Sequence, residues 1–102
     1  MTDLTHKTIA ELRDGFRAGD FSAKEIAQDF NAAVDAADTL NAYLVKTPEL
    51  ALEAAEAADK ARGDDALKPL SGIPIGMKDL FATEGVLTSA GSKMLGNFVP
   101  PY

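Results

Sequence analysis

The 102-residue chain has no cysteine and no tryptophan, a single histidine, and only 10 Lys+Arg against 16 Asp+Glu. Without cysteine there is no disulfide framework and no thiolate chemistry. One histidine, His6, excludes a histidine-clustered metal site. A Ser-His-Asp relay would have to run through that one imidazole near the start of the chain. No apolar run approaches the roughly 20 residues that a membrane helix needs. The opening stretch MTDLTHKTIAELRD is charged throughout, unlike a secretory leader. The densest basic patch is Lys60 and Arg62, and it sits beside Asp59, Asp64 and Asp65. With a formal net charge of −6, the chain alone is poorly suited to a phosphate backbone. What is present, 46% hydrophobic and 25% charged, is ordinary globular composition. The expectation is a soluble, cytoplasmic protein, either one domain or part of a larger one.

Charge is unevenly distributed. Residues 1–62 hold 12 acidic and 7 basic side chains, whereas residues 69–102 hold only Lys78, Asp79, Glu84 and Lys93. The first part reads as helices. Thr8-Ile-Ala-Glu11 has the form of a capping box, Ile9, Leu12 and Phe16 follow at helical spacing, and Gly19 fits the stop. Ser22-Ala-Lys-Glu25 forms a second box, with Phe21 and Ile26 in the two staple positions. Ile26, Phe30, Val34 and Ala37 then make one apolar stripe. The β-formers Tyr43 and Val45 suggest a short strand over 41–46. Pro48 opens an Ala-rich third helix that Gly63 ends. A polar loop is expected at 64–71. The division is therefore a helical region at about 1–63, then a strand and following loop at about 70–102.

In that second part, Gly72-Ile-Pro-Ile-Gly-Met-Lys-Asp79 alternates. As a strand it would place Ile73, Ile75 and Met77 on one face, and Pro74, Gly76 and Lys78 on the other. Gly76 leaves space for something to approach closely. The common catalytic signatures are missing: no Walker loop, GxGxxG, HExxH, GxSxG or SxxK. Lys78 is the one candidate for chemistry. A lysine in apolar, partly desolvated surroundings gives up its proton more readily and can serve as a base. The plainer alternative is a solvated lysine paired with Asp79 or Glu84. Ser89 and Ser92 read as turn or cap residues rather than nucleophiles.

The segment GIPIGMKDLFATEGVLTSAGSKMLGNFVPPY resembles the amidase signature family. The matching elements are Gly72-Ile-Pro-Ile-Gly, Lys78-Asp79, Thr83, Gly85-Val86, Thr88, Ala90 to Leu95 and Phe98-Val-Pro-Pro-Tyr102. Within the family, SKML and VPPY favour the glutaminase subunit of the tRNA-dependent amidotransferases. The resemblance implies an α/β class, an α/β/α sandwich on a mixed sheet, to which this chain would contribute the opening helices and a few strands. It implies a Ser–cis-Ser–Lys triad in which Lys78 is the base and proton shuttle. Both serines, the oxyanion hole and the substrate-holding residues would lie downstream of residue 102, so the chain reads as an N-terminal fragment, inactive alone. It further implies glutamine as substrate and partner subunits B and C in a heterotrimer. No cofactor is expected in this chain; ATP and Mg would be used by the partner subunit, which would also hold most of the tRNA. Other members of the family that act on small amides, and a non-enzymatic interaction protein, are the alternatives.

Overall fold

Local signals start each of three helices. The computed structural model describes residues 4–63 and 67–102. Helix α1 (Ile9–Ala18) is capped reciprocally: the Glu11 amide donates to Thr8 Oγ1 at 3.1 Å, and the Thr8 amide donates to Glu11 Oε1 at 2.9 Å. These bonds satisfy amides that the first helical turn leaves without partners. The helix stops at Gly19, whose φ of 84° lets the Asp20 amide turn back to the Gly15 carbonyl at 2.9 Å.

Helix α2 (Ala23–Ala36) is capped by Ser22, which accepts from the Glu25 amide at 3.0 Å. Only this half of the expected box forms. The Glu25 carboxylate takes the Ser22 hydroxyl at 3.4 Å rather than the Ser22 amide. The first two amides of α2, Ala23 and Lys24, donate instead to the Asp59 carboxylate at 2.7 and 3.1 Å. Asp59 belongs to helix α3 (Pro48–Ala61), which begins with Pro48 and has no side-chain cap from Thr47.

The core is one cluster of Leu4, Leu12, Phe16, Ala23, Ile26, Ala27, Ala55 and Ala58, with Phe21, Phe30, Leu52, Leu67 and Ile73 packed against it. Phe16 and Ile26 are fully buried, and each contributes roughly 1.5–3 kcal/mol of transfer free energy. The buried alanines of α2 and α3 lie in the same cluster, where small side chains permit close helix approach. Arg62 closes one end. Its guanidinium lies 5.5 Å from the Phe16 ring centroid and donates to the carbonyls of Phe16 and Phe21, both at 3.3 Å.

The second part departs from the expected α/β architecture. Among the described residues there is no strand, either at 41–46 or at 72–79. A strand exists only as one rail of a hydrogen-bonded ladder. Residues 74–77 have no backbone partner among the described residues, and the 41–46 segment bends at Leu44 and Val45. The mixed sheet is thus not present in these residues, and what is described is helical with an irregular tail. The polar loop expected at 64–71 falls partly outside the described residues, at 64–66.

The tail is moored to the helices at its start. Gly72 (φ 81°) lies so close to α2 and α3 that an added Cβ would sit 3.1 Å from Ala23 Cβ and 3.7 Å from Ala58 Cβ. Beyond it, Ile75, Met77, Leu80, Phe81, Met94 and Val99 are exposed. The total accessible surface is 7304 Å² for a 10.7 kDa chain. A closed monomer of that mass exposes roughly 5,500 Å², so much apolar surface of the tail is uncovered.

Candidate functional site

Lys78 sits at the corner where the irregular 73–77 stretch meets a turn. Its carbonyl accepts from the Phe81 amide at 3.0 Å. Its side chain is exposed and forms no ion pair among the described residues. The pairing with Asp79 or Glu84 considered from the sequence is therefore not made. Two residues earlier, a Cβ added to Gly76 would lie 3.4 Å from the Tyr43 hydroxyl, an ordinary van der Waals contact, so the neighbour there does not require glycine.

Asp79 is engaged elsewhere. Its carboxylate accepts from the Ser89 amide at 2.9 Å, from the Ser89 hydroxyl, and from the Gly91 amide at 3.3 Å. Its carbonyl accepts from the Ala90 amide at 3.2 Å. The Ser89 hydroxyl, then the Ser89 amide, hold the Asp79 carboxyl below its ordinary value by favouring the charged form. Beyond this loop, the amides of Gly85 and Thr88 donate to the carbonyls of Pro100 and Phe98 at 3.0 and 2.9 Å, which folds the end of the chain back over it. Thr88 and Pro100 are buried there. Ser92 accepts from the Met94 amide at 3.2 Å and caps the 3₁₀ turn Lys93–Leu95. Ser89 and Ser92 thus serve as the turn and cap residues their sequence context indicated. Sequence reasoning missed the Asp79 grip and the Tyr43 contact, because each joins segments ten or more residues apart with no local pattern.

The described residues offer a single candidate side chain, Lys78, rather than a closed site. A hollow of about 20 Å³ lined by Val34, Tyr43 and Lys46, among others, has room for about one water. Small-molecule pockets are commonly about 300–1,000 Å³. No group of three or more His, Cys, Asp or Glu that could hold a metal occurs among the described residues. No helix of the described residues is long and apolar enough to cross a membrane.

Comparison with known proteins supplies the context for this lysine. The whole chain aligns with the A subunit of glutamyl-tRNA(Gln) amidotransferase from three bacteria: Sphingopyxis alaskensis at 64% identity, Rhizorhabdus wittichii at 59% and Zymomonas mobilis at 55%. In each case the match covers all of this chain and 21% of the relative, so the chain spans about a fifth of the length of these curated proteins. A solved structure, from work on a vestigial protein complex and the evolutionary origins of an s-triazine catabolic enzyme, superposes with a TM-score of 0.84 at 36% identity. The match covers 92% of this chain and 21% of that one. The Amidase family matches residues 25–102, which contain most of α2, all of α3, Lys78 and the Asp79-held loop, and the chain therefore belongs to the amidase family.

Proposed function

We propose that this chain is the lysine-bearing opening segment of a glutamine-hydrolysing amidase, the ammonia-supplying component of a complex that converts Glu-tRNA(Gln) to Gln-tRNA(Gln). The observation that carries this reading is the 64% identity, along the entire chain, to the Sphingopyxis amidotransferase sequence. The 36% identity to the solved structure of the s-triazine work leaves a small-amide hydrolase as the weaker second reading.

In this reading Lys78 is the base. A serine hydroxyl is a poor nucleophile until a neighbouring group accepts its proton. Lysine can fill that role where histidine is absent, and this chain has one histidine, His6, which is exposed near the start. The amine of Lys78 takes the proton passed along by a relay serine, the nucleophilic serine attacks the glutamine amide carbon, and the protonated lysine returns the proton to the departing ammonia. Glutamate is then released by water attacking the acyl-serine. Both serines lie in parts of the protein beyond the present residues. Within the present residues Lys78 is exposed rather than in the apolar surroundings expected from the sequence, so in this reading those later parts supply the cover over its head group. Partner subunits B and C complete a cytoplasmic heterotrimer, and the ATP and Mg of the activation step belong to the partner. The acidic charge of this chain is consistent with tRNA lying mainly on that partner.

The test is made at the length of the curated relatives, in the assembled complex. Lys78→Arg keeps the positive charge but cannot be deprotonated. It is expected to abolish glutamine hydrolysis as fully as Lys78→Ala does, while transamidation driven by free ammonia persists. An Arg variant that retains most of the glutaminase rate refutes the role of Lys78 as base.

A further inference from the structure

We propose that Asp79 is the positioning residue for Lys78: it grips the Ser89–Gly91 loop and thereby fixes the peptide from which the lysine side chain leaves. This rests on the reading of Lys78 as the base. Three successive amides converge on one residue. Ser89 N–H and Gly91 N–H donate to the Asp79 carboxylate at 2.9 and 3.3 Å, and Ala90 N–H donates to its carbonyl at 3.2 Å. The Ser89 hydroxyl adds a fourth donor. Consecutive amides in a loop with left-handed residues form a concavity suited to an anion. Ala90 (φ 51°) and Gly91 (φ 73°) supply that geometry. Ala90 lacks the conformational freedom of glycine, so the surrounding bonds must hold it there. The anion that fills the concavity is the chain's own Asp79.

The consequence falls on its neighbour. The Lys78 carbonyl is held by the Phe81 amide at 3.0 Å, and the next residue is held through its carboxylate and its carbonyl. The Lys78–Asp79 peptide is therefore held at the Lys78 carbonyl and through Asp79, and this hold is the only backbone anchor next to the lysine, since residues 74–77 before it have no backbone partner among the described residues. A base displaced by about 1 Å loses on the order of 100-fold in rate. The acid in the Lys-Asp pair thus acts through backbone placement, not as an ion-pair partner of the lysine.

The experiment uses the protein at the length of its relatives, assembled with its partner subunits. Asp79→Asn keeps one acceptor oxygen and replaces the other with an NH2 group that cannot accept from the loop. It is expected to lower kcat for glutamine hydrolysis by about 10- to 100-fold with KM within about 2-fold, and to leave ammonia-driven transamidation unchanged. Ser89→Ala, which removes only the hydroxyl donor, should give a smaller fall, and Ser89→Thr, which restores a hydroxyl, should recover it. If Asp79→Asn does not assemble, the Ser89 pair carries the same comparison. A parallel fall of both reactions makes Asp79 a folding residue and overturns the proposal. So does an unchanged glutaminase rate in Asp79→Asn where Lys78→Ala abolishes it. If Lys78→Ala itself leaves hydrolysis intact, the reading of Lys78 as base fails, and the positioning role fails with it.

Discussion

Gly15 lies buried inside α1, where glycine is ordinarily a weakness. Replacing an exposed helical glycine by alanine gains about 1 kcal/mol from restricted unfolded-chain freedom and better helix propensity. Here the geometry reverses the sign. A Cβ on Gly15 would fall 2.3 Å from Phe21 Cζ and 2.5 Å from Cε2, well inside contact distance. The ring must move, and Phe21 is half-buried against the core. Losing about half the burial of a phenylalanine costs about 1–1.5 kcal/mol, and overpacking adds about 1–3 kcal/mol. Set against the propensity gain, Gly15→Ala is expected to destabilise the chain by about 1–3.5 kcal/mol. In urea unfolding followed by helical circular dichroism, an m-value of about 2 kcal/mol/M turns this into a midpoint lowered by roughly 0.5–2 M. Phe21→Leu in both backgrounds completes a double-mutant cycle. The shorter side chain should remove most of the penalty, with a coupling of about 1 kcal/mol. A midpoint that rises in Gly15→Ala, or a cycle with no coupling, refutes the close contact between α1 and the Phe21 ring.

Asp59→Ala strips the cap from the first two amides of α2 and should cost about 2 kcal/mol, while Asp59→Asn, which keeps one acceptor oxygen, should cost about half as much; urea midpoints of the two variants check the order. The carboxyls of Glu11 and Asp79 are held below their ordinary values of 4.5 and 3.8, Glu11 chiefly by the Thr8 amide and Asp79 chiefly by the Ser89 hydroxyl. Their contributions are therefore complete above those values and are lost as pH falls below them through the folded-state values. A carbon-detected NMR titration should place both midpoints low, and a value at or above 4.5 or 3.8 would contradict the corresponding bonds. The uncovered side chains of the tail, with Ile75 77% and Met94 92% exposed, favour self-association of the 102-residue chain. Sedimentation should show mass rising with concentration, and the double substitution Ile75→Lys, Met94→Lys should suppress it.

What was legible in the sequence was what is decided within a few residues. The Thr8–Glu11 box, the Gly19 stop and Pro48 at the first position of α3 are all settled inside one turn of helix, and all three stand in the structure. The Ser22–Glu25 box was legible only in part, because Asp59, more than thirty residues away, takes the Ala23 and Lys24 amides. The 72–79 strand is absent for a related reason: alternation states which side chains could share a face, but not whether a ladder partner is at hand. At the candidate site, Lys78 could be singled out from its apolar neighbours and the family resemblance. The grip of Asp79 on 89–91 could not, since a carboxylate meeting a loop ten residues later leaves no periodic trace.

The seat of Gly72 against Ala23 and Ala58 makes the helices a datum from which the lysine is measured. Chain between Gly72 and Lys78 can reach no more than about 20 Å, so in the proposed role α2 and α3 set the sphere in which the amine would work. One inserted residue along that tether lengthens it by about 3.3 Å, several times the roughly 0.5 Å latitude a catalytic group tolerates. In that role an insertion between these two positions would perturb the amine more than most side-chain changes along the tether. A side chain at residue 72 would press on Ala23 of α2 and strain a backbone φ of 81°, shifting the tether's origin by a few tenths of an ångström.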